Sequence, residues 1–132
     1  MEEYKKIEQH LASLQLDAKK VDFIEKIDHH VKRLIPRGEA DIDHLSERLV
    51  VSVSKLRRVM RDDLGLSPAR YIMFLRLRYS LKMLDGEPKK SISEIAEQCG
   101  FFDHSHFTHT FIHYFGLSPT QYRRQKEKNV EE

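Results

Sequence analysis

The 132-residue chain contains a single cysteine, Cys99. No disulfide framework can form within one chain, and a reducing compartment fits best. Cys99 lies in "IAEQCGF" among core-like neighbours and reads as a small buried hydrophobe rather than a redox group. Long apolar runs are also absent. No stretch approaches the roughly 18 residues of a membrane span, and the charged start "MEEYKKIEQHL" lacks the apolar middle of a signal peptide. A soluble, cytoplasmic protein is expected. Strand signals are nearly missing: alternation never lasts, and the one β-branched cluster, "LVVSV" (Leu49–Val53), is bracketed by helical patterns.

A large charge of one sign is lacking too, since the formal net charge is only +2. Its distribution says more. Residues 1–44 hold 8 Lys/Arg against 10 Asp/Glu, and residues 45–132 hold 15 against 11. The basic surplus in the second part permits a polyanionic partner without requiring one.

Helical periodicity is strong. "KKVDFIEKIDHHVKRLI" places Val21, Ile24, Ile27, Val31, Leu34 and Ile35 on one stripe, ended by Pro36 and Gly38. "DIDHLSERL" starts a short helix capped by Asp41 or Asp43. "SKLRRVMRDDLG" is closed by Gly65, and "SPARYIMFLRLRYSLKMLDG" opens with Ser67 as cap and Pro68 at its first position. "SISEIAEQCG" begins at Ser91 or Ser93, "DHSHFTHTFIHYFG" at Asp103, and "SPTQYRRQKEK" at Ser118 and Pro119. About seven helices follow, and an all-α fold. Residues 1–16 read as an N-terminal extension or linker, weakly helical at best, and 127–132 as a frayed tail.

The chain repeats itself. "IDHLSERLVVS-VSKLRRVMRDDLGLSPARY" (Ile42–Tyr71) aligns with "ISEIAEQCGFFDHSHFTHTFIHYFGLSPTQY" (Ile92–Tyr122). Ile42, Leu45, Glu47 and Leu49 match Ile92, Ile95, Glu97 and Cys99 at an offset of fifty. After one inserted residue, Leu56, Met60 and Leu64 match Phe107, Phe111 and Phe115. "GLSP" is identical in both copies. Each unit reads as a short helix, a turn and a second helix, the helix-turn-helix pattern whose second helix can enter a DNA major groove. Gly100 stands at the second turn, where a positive φ is wanted. Val50 stands at the first, so that turn is the weaker match and open to a different construction.

With these features the segment Ile92–Arg124 resembles the signature of the AraC/XylS family of bacterial transcription regulators. The resemblance reaches back to about Asp17 and includes "RLRYSLKML" (Arg76–Leu84), similar to the family's linker helix. "LDAKKVDFIEKIDHHVKRLI" is similar to the leading helix of members that serve as output domains of hybrid two-component regulators. The resemblance implies two helix-turn-helix subdomains, 17–68 and 86–126, joined by a linker helix over 69–85. It implies double-stranded DNA as partner. It also implies RNA polymerase, or a sensory or dimerisation domain absent from this chain, as a further partner.

A helical wheel turns Phe107, Phe111 and Tyr114 inward, with Phe115 near their edge. Outward at the N-terminal part of that helix stand His104, Ser105, His106 and His109, where a reading helix meets base edges. In the first copy Leu56, Val59 and Met60 turn inward and Ser54, Arg58 and Arg61 outward, with Lys55 and Arg57 at the flanks. The family resemblance carries base reading to Ser54, Arg57, Arg58, His104, Ser105, His106 and His109. The family commonly has Arg where this chain has His109, so one titratable donor replaces a forked cation. Phosphate contacts are expected from Lys55, Arg61, Lys89, Lys90, Ser91, Ser93, Arg123 and Arg124, at helix N-termini and beside the reading helices. Arg76 and Arg78 fit either phosphate binding or a structural bridge from the linker helix.

Other chemistries fare worse. His106, His109 and His113 have chelating spacing, but no cysteine or carboxylate of that helix completes a metal set. No metal or cofactor is expected. Asp62–Asp63 and Glu94–Glu97 offer carboxylates on exposed positions without a nucleophile or Gly-rich loop, so no enzyme is expected. A helical protein-interaction module without sequence-specific DNA binding remains the alternative.

Overall fold

The computed structural model describes residues 2–131. Among them are eight α-helices and no strand. In chain order these are α1 (Glu2–Ala12), α2 (Ala18–Leu34), α3 (Ile42–Leu49), α4 (Val53–Leu64), α5 (Pro68–Gly86), α6 (Ile92–Gln98), α7 (His104–Phe115) and α8 (Pro119–Glu131), with a short 3₁₀ turn, Ile35–Arg37, after α2.

Short polar side chains start six of them. Asp17, Asp41, Ser52, Ser67, Ser91 and Asp103 each accept a hydrogen bond from the backbone N–H three residues on. Each satisfies an N–H that the helix itself leaves unpaired. At α8 the bonding is reciprocal: Gln121 N–H donates to Ser118 Oγ, and Ser118 N–H donates to Gln121 Oε1. The cap of α4 is Ser52, so Ser54 lies inside the first turn.

One core runs through the chain. Ile27 and Val31 of α2, Leu45 of α3, and Leu56, Met60 and Leu64 of α4 are buried in the first unit. Ile95, Cys99, Phe107, Phe111 and Phe115 are buried in the second, and α5 contributes Phe74 and Leu77. The two tyrosines matched by the repeat do matching work. Tyr71 Oη donates to Asp28 of α2 at 2.6 Å, and Tyr122 Oη donates to Asp85 of α5 at 2.9 Å. Burial raises the pKa of the Tyr71 hydroxyl and of the Asp28 carboxyl above their ordinary values. Cys99 is buried with its thiol pushed up to about 12 by burial, as befits an inert core residue.

The helix count differs from the sequence reading at the N-terminus. Residues 2–12 form a helix, and its Tyr4 and Ile7 are 6% and 2% exposed. Contact with distant parts of the core stabilises a helix too short to hold on its own. At the other end α8 continues to Glu131, through most of the stretch read as a tail; residue 132 lies outside the described residues.

The two turns are alike despite the valine. Val50 N–H donates to Glu47 O and Val51 N–H to Ser46 O; Gly100 N–H donates to Glu97 O and Phe101 N–H to Ala96 O. Both turn residues are left-handed, with φ of 56° at Val50 and 80° at Gly100. The first turn is therefore not built differently. Its backbone bonds and the packing of α3 on α4 impose a conformation that valine disfavours.

Candidate nucleic-acid interface

The second helices of the two units, from which DNA reading is expected, are α4 and α7. Each is anchored by three buried residues, Leu56, Met60 and Leu64 in one and Phe107, Phe111 and Phe115 in the other. These anchors decide which side faces out. Ser54, Lys55, Arg57, Arg58 and Arg61 are all exposed on α4, as are His104, Ser105, His106 and His109 on α7. Because Ser52 and Asp103 are equivalent caps, Ser54 corresponds to Ser105, Lys55 to His106 and Arg58 to His109. Among the described ion pairs only Arg61 of the α4 face is engaged, by Asp62 at 3.3 Å. The free N–H groups and dipole at each helix start add positive character to the same region.

The remaining candidates divide. Lys89 and Arg124 are exposed. Ser91 caps α6, and Ser93 Oγ lies 3.5 Å from His104 Nδ1, which ties the start of α6 to the start of α7. Lys90 is partly buried, with Nζ 2.6 Å from Glu87 Oε2 and 2.7 Å from Gln98 Oε1. Arg123 donates from Nη1 to Lys90 O at 2.7 Å and from Nη2 to Glu87 O at 3.4 Å, so its fork grips the loop between α5 and α6.

Arg76 is a structural bridge. From α5 its Nε donates to Cys99 O at 2.9 Å and its Nη2 to Gly100 O at 2.7 Å. Its guanidinium lies 4.2 Å from the centre of the Phe101 ring. The bridge ends on the turn that orients α7. Arg78 stays exposed, its guanidinium 4.9 Å from the Phe74 ring centre.

Two exposed apolar residues sit on the turns themselves. Val50 is 88% exposed, and Phe102, left unmatched in the second copy once the caps Ser52 and Asp103 are paired, is 94% exposed. Sequence reasoning passed over Phe102, although an insertion beside a helix cap was a visible signal. It also read residues 1–16 as weakly helical at best, although Tyr4, Ile7 and Leu11 of α1 carry helical spacing. Among the described residues no three His, Cys, Asp or Glu side chains gather in a group able to hold a metal ion. Asp62, Glu94 and Glu97 are exposed. No helix of the described residues is long and apolar enough to cross a membrane.

Two helix-turn-helix units hung on one long helix, with both second helices presenting polar, exposed N-terminal faces, define a double helix-turn-helix domain of the DNA-reading class. A family model for the helix-turn-helix domain matches residues 45–125. The Msm operon regulatory protein of Streptococcus mutans is 34% identical over 88 residues, covering 67% of this chain and 31% of that protein. The C-terminal domain of the two-component response regulator yesN from Fusobacterium nucleatum superposes with a TM-score of 0.69 at 26% identity, covering 77% of this chain and 98% of that one. A Chromobacterium violaceum transcriptional regulator described as having an AraC-type DNA-binding domain gives 0.66 at 27% identity, covering 80% and 96%. The chain belongs to the family of AraC-type helix-turn-helix domains of transcription regulators. It spans less than half the length of the curated relatives it matches.

Proposed function

We propose that this chain binds double-stranded DNA in a sequence-specific way, laying α4 and α7 in two adjacent major-groove segments on one face of the duplex. The observation that carries the reading is the equivalence of the two helices. Each follows the same turn, starts from the same kind of cap and exposes polar residues at matching helical positions, Ser54 with Ser105, Lys55 with His106 and Arg58 with His109. Ser54, Arg57 and Arg58 read one half-site, and His104, Ser105, His106 and His109 the other. Lys55, Arg61, Lys89 and Arg124 meet phosphates, together with the helix starts capped by Ser52, Ser91 and Asp103. Lys90 and Arg123 act chiefly by holding the loop before α6, since their charged groups already have protein partners. The role is regulatory and not enzymatic, and contact with RNA polymerase or a sensory domain belongs to the whole regulator.

Selection of bound sequences from a random DNA pool tests this. A two-part motif is expected, with half-sites about 10 base pairs apart. Arg58→Ala should cost about 1–3 kcal/mol on the preferred site and relax preference at one or two positions of the first half-site only. If no sequence is enriched, the fold serves as a helical protein-interaction module instead.

A further inference from the structure

Helix α1 lies outside the matched helix-turn-helix region, yet it touches both halves of it. The Tyr4 ring stacks on Phe74 of α5 at 4.7 Å and lies 4.7 Å from Phe115, the last residue of the second reading helix. Ile7 is buried one turn further on. His10 Nε2 donates at 2.6 Å to the carbonyl of Leu64, the last residue of the first reading helix. Gly65 leaves the space for that approach, since a Cβ there would stand 2.8 Å from His10 Nε2. Glu3 pairs with Arg70 at the start of α5 at 2.6 Å. One short helix thus holds the C-terminal ends of α4 and α7 and the helix that joins them. It does so away from the N-terminal ends that carry the base-facing residues.

We propose that α1 is a spacing gauge: Tyr4, Ile7 and His10 are positioning residues that fix α4 and α7 at one separation and so narrow the half-site spacings the chain accepts. The proposal rests on the reading of both helices as DNA readers. The physics is that of a linker. A rigid connection presents the second reader at a high effective concentration, but only where the spacing matches; a loosened one lowers the peak and widens the range. Adding a base pair between half-sites moves the second by about 3.4 Å and about a tenth of a turn. A rigid pair of readers tolerates little of this.

The test measures affinity for duplexes with unchanged half-sites and spacings from two base pairs shorter to two longer. The parent should lose about 10-fold or more when the spacing is off by two base pairs. Tyr4→Ala should flatten that ratio to about 2–3-fold, with the same preferred bases in each half-site. Tyr4→Phe keeps the stacking and should restore the parent profile. The paired variant Glu3→Gln with His10→Ala alters contacts outside the aromatic core and should flatten the profile in part, even if Tyr4→Ala fails to fold. A profile as sharp in folded Tyr4→Ala as in the parent overturns the gauge, as does a parent-like profile in the paired variant. A parent that binds one half-site alone as well as both overturns the two-reader interpretation, and the gauge with it.

Discussion

Val50 occupies a backbone region that costs an L-residue about 1–2 kcal/mol, with its side chain 88% exposed to solvent. Glycine removes that cost but frees the unfolded chain, which returns part of the gain. Val50→Gly should therefore stabilise the protein by about 0.5–1 kcal/mol, a rise of about 2–5 °C in the thermal midpoint. The mirror change Gly100→Ala should destabilise, since it meets the same positive φ and puts a Cβ 3.3 Å from the Ile35 carbonyl. Thermal melts of both variants decide it; a lower midpoint for Val50→Gly would show that the valine holds the turn in some other way. At this scale the sequence was legible where the core fixes direction. Once Leu56 and Phe107 point in, Arg58 and His109 must point out. It was less legible where only charge was available. Lys90 and Arg123 carry the right sign, but sign does not reveal that Glu87, Gln98 and two carbonyls already hold them.

Among the elements, α5 is more than a spacer. Arg76 carries it to the second turn through two charged hydrogen bonds and a stacked ring. Lysine cannot serve two carbonyls in a plane and stack on Phe101 as well. Arg76→Lys should cost about 1.5–3 kcal/mol in stability. It should also speed amide exchange around Cys99–Phe101 and weaken preference at the second half-site more than at the first. Equal weakening of both half-sites would show that Arg76 acts through general stability. The caps and the α2, α5 and α8 boundaries could be read from Ser, Asp, Pro and Gly, because those signals are local. Helix α1 could not. An isolated helix of its length is marginal in water, and its aromatic partners Phe74 and Phe115 lie far along the chain. Its apolar spacing was present, but nothing local said what would cover it.

For the whole molecule, a net charge of +2 understates how the surface would meet a duplex, because charge is unevenly placed. Lys55 projects from the first turn of α4 and joins Lys19, Lys20 and Lys26 along a groove between α2 and α4. Asp17, Asp22 and Asp63 line the same groove, so the local field is mixed rather than uniformly basic. A duplex against the exposed edge of that groove would be met by lysines that release counterions from its phosphates. Each neutralised phosphate steepens the fall of log affinity with log salt by about 0.9. Lys55→Gln should reduce that slope by about 1 and weaken every sequence to a similar extent, leaving the selected motif unchanged. Arg58→Ala should do the opposite, changing the motif with little effect on the slope if its contact is to a base edge. Measuring both variants between 50 and 200 mM salt, on the selected site and on an unrelated duplex, separates positioning from reading. An unchanged slope in Lys55→Gln would place this lysine off the phosphate track and move the duplex toward α7 and the exposed Arg124.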